Sequence, residues 1–291
     1  MMTTAAYQAG ERDNEVAVLV PFARAHLEGA LKLSQEMSWP YRLEDWDIAL
    51  QLGKGFVLER AGTVIGTAAW WPYGETHASA GMIIVAKAAQ GRGYGAQLMD
   101  ALLTSARPRT IALNSTAEGI MLYRRRGFVP IGVIHQHQGI PRDYDEPPRS
   151  WLVGPMAASD FEAITRLDRE ATGLERRPLL DRLVRSGDGY VLRHDGVACG
   201  YAISRRFGRG HVIGPVVAES RADARALIDA ALAGLGRCFV RIDTSASSQL
   251  GDWLESIGLQ RVGDATTMIL GTQVQATGAA RTFAIANQSF G

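Results

Sequence analysis

Two cysteines in 291 residues, a formal net charge of +1 and no long apolar run set the first limits on this chain. Cys199 and Cys238 are too few and too far apart for a disulfide framework or a metal site, and each sits among apolar neighbours. A charge so near balance gives no electrostatic pull towards nucleic acid or anionic membrane. The one apolar stretch near the N-terminus, Val16 to Phe22, is short and is followed by Arg24 and His26, so the reading predicts no signal peptide, no membrane span and a cytoplasmic protein. No metal partner is expected, and oligomeric state is not legible. At close to twice the usual ~150-residue domain, the length suggests two domains.

What is present supports that division. Sliding the chain on itself places Glu28 over Glu162 and keeps that offset without a gap from residue 26 to 71, with about a quarter of positions identical. The matches are apolar core positions, glycines at turns, and pairs such as Arg42 with Arg176 and Asp47 with Asp181. The register returns at Leu98 to Leu103 over Leu227 to Leu232. Between the halves, Pro141 to Ser150 combines prolines with charges and suits a linker. Two domains follow, residues 1–145 and 150–291. In the first, helical spacing predicts helices at Ala25–Glu36, Leu43–Leu52, Gly93–Ser105 and Ala117–Arg126. Alternation predicts strands at Gly55–Arg60, Thr63–Trp71, Ala78–Ala86, Thr110–Leu113 and around Phe128–Ile134. This is an α/β or α+β layout, a mixed sheet flanked by helices.

A glycine-rich loop lies between a buried strand and an amphipathic helix. There the first helical amides have no intrahelical partner and the dipole is positive, so Gly91, Gly93 and Gly95 can let the main chain close on a pyrophosphate. Glycines also serve plain turns, and Arg92 suits either phosphate binding or a solvated helix start. The spacing GRGYG is not the dinucleotide fingerprint, and the loop has no Lys-Ser/Thr pair for a phosphate-transfer enzyme.

The strand residues Ile83 and Val85 followed by Gln90, Arg92, Gly93, Tyr94, Gly95 and Ala96 resemble the signature of the GCN5-related N-acetyltransferases (GNAT). A second block, Leu113 to Thr116, Gly119, Leu122, Tyr123, Gly127 and Phe128, is similar to that family's strand followed by Tyr-x-x-x-Gly-Phe. The resemblance implies two tandem GNAT-like domains, each a mixed, mostly antiparallel sheet flanked by helices, of a bacterial tandem type. It implies acetyl-CoA as co-substrate and a small-molecule amine as acceptor. It assigns the pantetheine contacts to Ile83, Ile84 and Val85, and the pyrophosphate to Gln90 and the amides of Gly91 to Ala96. Lys87 stands where a proline is common, and Thr116 where many members have asparagine.

In the resemblance Tyr123 is the acid that serves the departing thiolate; a core aromatic with a satisfied hydroxyl is the other reading. The family's usual glutamate position is Ser79, which leaves His77 as a candidate base, with Glu36 and Glu75 behind it and a water chain as the alternative. Trp39, Tyr41 and Arg42, between the first two helices, are acceptor-pocket candidates, though a packed aromatic turn accounts for them equally. His135 and His137 alternate on the last strand and could face the same cleft. In the second half the equivalent loop, Glu219 to Ala224, has no glycine, and Leu254 stands at the place of Tyr123, so that half reads as a degenerate GNAT-like domain with a structural or cleft-shaping role. A non-enzymatic acyl-CoA sensor and a nucleotide-phosphate enzyme remain the rival readings.

Overall fold

The computed structural model describes residues 16–142 and 152–291, so the predicted linker lies, from residue 143 onward, outside the described residues. By compactness the chain divides into unit 1, up to Trp70 together with Met82–Arg107, and unit 2, Trp71–Gly81 together with Pro108–Gly291.

Unit 1 contains β1 (Val18–Pro21), α1 (Leu27–Glu36), α2 (Leu43–Leu52), β2 (Lys54–Arg60), most of β3 (Thr63–Tyr73), the end of β4 (His77–Val85) and α3 (Tyr94–Ala106). β2 pairs antiparallel with β1 on one side and β3 on the other. The β2–β3 hairpin turns through Ala61 and Gly62, both at positive φ (49° and 69°), the left-handed pair whose twist matches the strands it joins. α3 buries Leu98, Met99, Leu102 and Ala106, the face its helical spacing predicts. Gly66 on β3 lies close under that helix, where a Cβ would come within 2.9 Å of the Leu98 side chain and 3.2 Å of the Ile84 carbonyl.

Unit 2 contains the rest of β3 and β4, then β5 (Thr110–Ser115), α4 (Ile120–Arg124), β6 (Val129–Gly139) and β7 (Val153–Pro155). α5 (Phe161–Thr172), α6 (Arg177–Val184), β8 (Gly187–His194), β9 (Val197–Phe207), β10 (Gly210–Ala218) and α7 (Arg221–Leu235) follow. It closes with β11 (Val240–Ser245), α8 (Gly251–Ser256), β12 (Gln260–Leu270) and β13 (Arg281–Ala284). α4 is shorter than the predicted Ala117–Arg126 helix, because turns precede Ile120 and Gly127, at φ 86°, follows Arg124 closely.

The repeat is visible in the ladders. β5 runs parallel to β4 from His77–Thr110 to Ala80–Leu113, as β11 runs parallel to β10, and the other recorded pairings are antiparallel. One strand of each half is exchanged: β12 pairs antiparallel with β5 over Thr266–Leu270, and β6 pairs antiparallel with β11 over Ile134–Gly139 and with β12 along nearly its whole length. Sequence periodicity predicts the strands and is silent on this exchange.

Unit 2 also buries an ion pair. Arg176, at the α5–α6 junction, donates two hydrogen bonds to the Asp168 carboxylate (3.0 and 2.6 Å), and the Tyr201 hydroxyl donates to the same carboxylate. Arg176 and Asp168 are 3% and 1% exposed, and the neighbouring carboxylate holds the guanidinium pKa above its ordinary value against the opposing effect of burial. Asp168→Asn removes the counter-charge and strands a buried cation, and is expected to cost about 3–5 kcal/mol in urea unfolding. Asp181→Asn, in the exposed pair with Arg185, is expected to shift the same transition far less.

Candidate acyl-transfer site

In unit 1, β4 leads into the glycine loop through an irregularity. Met82, buried, has a φ of 52°, a left-handed conformation that costs a side-chain-bearing residue energy, and its carbonyl accepts the Thr67 hydroxyl at 2.7 Å. The sequence carries no signal for this. Beyond it Ile84 is buried and Ile83 and Val85 are half-buried. The loop is tied down by three contacts: Ala86 N–H to the Ile65 carbonyl (2.9 Å), the Gln90 side-chain amide to the Val85 carbonyl (3.1 Å), and Lys87 N–H to the Glu36 carboxylate (2.7 Å). Glu36, a candidate base by sequence, is thus an anchor of the loop. Lys87, where a proline is common, uses its N–H, which proline lacks.

Gly91 (φ 77°) and Gly93 (φ 82°) are both left-handed and exposed, and a Cβ on either would meet nothing within 4 Å. Backbone conformation therefore selects glycine here, and the space above the loop is open. Gly93 is the N-cap of α3 and brings no side chain to cap it. The equivalent helix start in unit 2 is built otherwise. Ser220 caps α7 by accepting the Asp223 N–H at 3.1 Å, and its hydroxyl donates to the Asp223 carboxylate at 2.6 Å, so a negative charge already occupies that helix end.

In unit 2, Tyr123 on α4 is 7% exposed, its ring edge-on to Phe128 at 5.9 Å. Gly119 makes room for it, since a Cβ there would lie 2.9 Å from the ring. Burial pushes the phenol pKa up to about 12, so the hydroxyl is protonated at neutral pH and is a weaker acid than a free phenol. Thr116 is half-buried at the end of β5. At the corresponding place in the second half, Leu254 is fully buried.

Unit 2 also holds a half-open cavity of about 530 Å³, within the range of small-molecule sites. β4 presents His77 and Ser79 to it, β5 presents Thr110, Ala112 and Asn114, and β12 presents Thr267 and Ile269. Leu174, Arg176 and Phe290 form further wall. His77 Nδ1 lies 2.8 Å from the Thr76 hydroxyl, and the Ser79 hydroxyl donates to the Ser289 carbonyl. Glu75 is exposed and does not line the cavity.

The other acceptor candidates do not line it either. Trp39 and Tyr41 belong to unit 1, where Trp39 lies against Tyr41 (centroids 6.4 Å apart) and Tyr41 against buried Trp46 (5.9 Å), and Arg42 donates to the Asp45 carboxylate that caps α2. His135 Nδ1 lies 2.8 Å from Asp264, whose pKa is held at about 2, chiefly by Arg261 and then by His135. His137 is fully buried, neither ring nitrogen has a partner among the described residues, and burial lowers its pKa. β6 lines the cavity with Ile131 to Ile134, and neither histidine reaches it. The residues that sequence reasoning missed are Leu174, Arg176 and the segment after Asn287, which reach the cavity only through long-range folding. Among the described residues no cluster suits a metal ion, and no helix is long and apolar enough to cross a membrane.

Two family descriptions, each of an acetyltransferase (GNAT) domain, match residues 51–130 and 164–282, together more than half of the chain. The chain is 28% identical over 254 residues to YitH, an uncharacterised N-acetyltransferase of Bacillus subtilis, covering 84% of this chain and 88% of the relative. It is 27% identical over 230 residues to a holothin acyltransferase of Pseudoalteromonas sp., covering 69% and 77%. In fold it is similar to a crystal structure from Pyrococcus horikoshii assigned to the acetyltransferases, with a TM-score of 0.78, 20% identity, and 94% and 96% of the two chains covered. The chain therefore belongs to the GNAT family as a tandem of two such domains, and it is an acyltransferase.

Proposed function

We propose that the chain transfers the acetyl group of acetyl-CoA directly to a primary amine of a small molecule, and that residues 1–145 form its catalytic domain while residues 150–291 form a degenerate one. The observation that carries the reading is the start of α3. Two left-handed glycines stand under open space, at a helix end whose cap has no side chain, and this suits a pyrophosphate. Ile83, Ile84 and Val85 would lie along the pantetheine arm, and Gln90, Arg92, Tyr94, Gly95 and Ala96 would complete the loop around the phosphates, with Thr116 as a further contact. The α7 start, with its own carboxylate, argues against a second donor site.

Tyr123 acts as general acid in this proposal. The amine nitrogen attacks the thioester carbonyl, and the phenol donates its hydrogen bond, and then its proton, to the departing thiolate. His77, at the cavity wall, receives the proton lost from nitrogen, directly or through water.

Titration calorimetry with acetyl-CoA is expected to give one site per chain; two equivalent sites would contradict the division of labour between the halves. Gly93→Val forces a β-branched residue into a left-handed conformation, and acetyl-CoA affinity is expected to fall at least about tenfold, with the thermal midpoint measured alongside. Unchanged affinity would remove the loop from the donor site. Tyr123→Phe keeps the ring and removes the acid. Single-turnover thiol release at saturating acetyl-CoA is expected to slow by roughly 10- to 1000-fold with little change in donor affinity. An unchanged rate with a lowered thermal midpoint would make the tyrosine structural.

A further inference from the structure

β6 has a free side where it borders the cavity. From Ile134 to Gly139 it lies between β12 and β11, but over residues 129–133 its recorded pairing is with β12 alone, and these residues are all exposed. The ladder to β12 is broken there as well. Gly132 lies opposite Thr267 and Pro130 opposite Met268, so Ile131 is an extra residue with no counterpart, a bulge that takes its backbone groups out of register. Residues 131–134 all line the cavity. Successive residues of a strand face opposite ways, so an unbroken run of lining residues means that the edge of the strand, with its N–H and C=O groups, reaches the cavity.

Gly132 sits within this run without a reason internal to the fold. Its φ is not left-handed, and a Cβ there would lie 3.9 Å from that of Thr267, an ordinary contact. What glycine supplies at this place is bare backbone on the wall. The side chains around it offer less: Tyr73, Ser79, Thr110, Asn114, Thr172 and Thr267 are each bonded within the chain. The Thr282 hydroxyl in the same wall is buried without a partner among the described residues. A ligand that bonds along β6 does so through main-chain groups, and the natural complement of a free strand edge is another extended main chain.

We infer that the cavity is the acceptor site and that it takes a short peptide-like amine, laid in extended form along the free edge of β6 at residues 131–133. The edge is short. Pro130 has no N–H to offer, and the pairing of Ser245 with Ile134 closes the other end, while the half-open cavity lets the far end of a peptide continue into solvent. The inference rests on the acetyl transfer proposed above and names the acceptor class for it. In the reaction the lone pair of the peptide's terminal nitrogen attacks the thioester carbon, a C–N bond forms and the C–S bond breaks. The sulfur leaves as thiolate and takes the Tyr123 proton. The proton lost from nitrogen passes to His77 and returns through solvent to the phenolate, leaving an N-acetylated peptide and free CoA thiol.

The test titrates trialaninamide and its two N-methylated forms, one methylated on the second nitrogen of the chain and one on the third, into the full chain by calorimetry. CoA is present at saturation, since it carries no acetyl group to transfer. Trialaninamide is expected to bind. Successive N–H groups of a strand point to opposite sides, so one methylation is expected to weaken binding by about tenfold or more and the other far less. Equal effects of the two, no effect of either, or no binding of the parent overturns the strand pairing. Gly132→Val, a residue type that strands accommodate, is expected to weaken trialaninamide binding by about tenfold or more and to leave CoA affinity unchanged. If the valine lowers the thermal midpoint, Gly132→Ala carries the same comparison. Binding that survives undiminished in both folded variants overturns the location. Thiol release from acetyl-CoA separates this inference from the transfer itself. Binding with the alternating pattern, but with no thiol released, supports the edge site and removes the transferase mechanism. Release with spermidine, without trialaninamide binding, keeps the mechanism and overturns the inference.

Discussion

Everything in unit 2 depends on the backbone ladders on either side of β12. This strand comes from the second half of the sequence and lies between β5 and β6 of the first, while β6 in turn lies against β11 of the second. Each exchanged strand satisfies N–H and C=O groups that would otherwise be bare edges, and a bare edge is costly when buried and a template for aggregation when exposed. The second half is therefore bound to the first by hydrogen bonds that no surface loop could replace. Its core has to stay intact for the first half's sheet to be complete, whatever happens at its helix start.

That constraint accounts for the pattern of likeness between the halves. Turn glycines and apolar core positions match, whereas Gly93 is answered by a serine-capped helix and Tyr123 by the buried Leu254. The α7 start satisfies its amides internally and places a carboxylate over them. The α3 start has a glycine cap under open space. The same fold thus holds one helix end electrostatically suited to an anion and one already occupied by its own.

What was legible in the sequence was local. Periodicity gave α2 its bounds, the Ala61–Gly62 turn followed from residue type, and the loop after β4 followed from glycines that only a left-handed backbone requires. What was not legible depended on layers. Alternation puts His135 and His137 on one face of β6 but does not say what they meet; His137 is buried, His135 meets Asp264, and neither lines the cavity. Trp39 and Tyr41 read equally well as pocket or packing, and the structure places Trp39 against Tyr41 and Tyr41 against Trp46. The strand exchange and the cavity wall at Leu174, Arg176 and Phe290 join residues far apart in sequence, where no local pattern reaches.

The buried pair Arg176–Asp168 connects these features. Replacing a buried ion pair by apolar residues often costs nothing, so stability alone is a weak reason for its presence. Its geometry suggests a different role. With Asp168 fixing two of its donors, the guanidinium presents another to the Gly291 carbonyl, and Tyr73, Ser79 and Asn114 hold the preceding three carbonyls in turn. A short segment is held in one conformation by side chains of β3, β4, β5 and the α5–α6 junction. Positional order in the cavity wall is thereby derived from a buried ion pair, because Asp168 fixes the guanidinium that in turn holds Gly291.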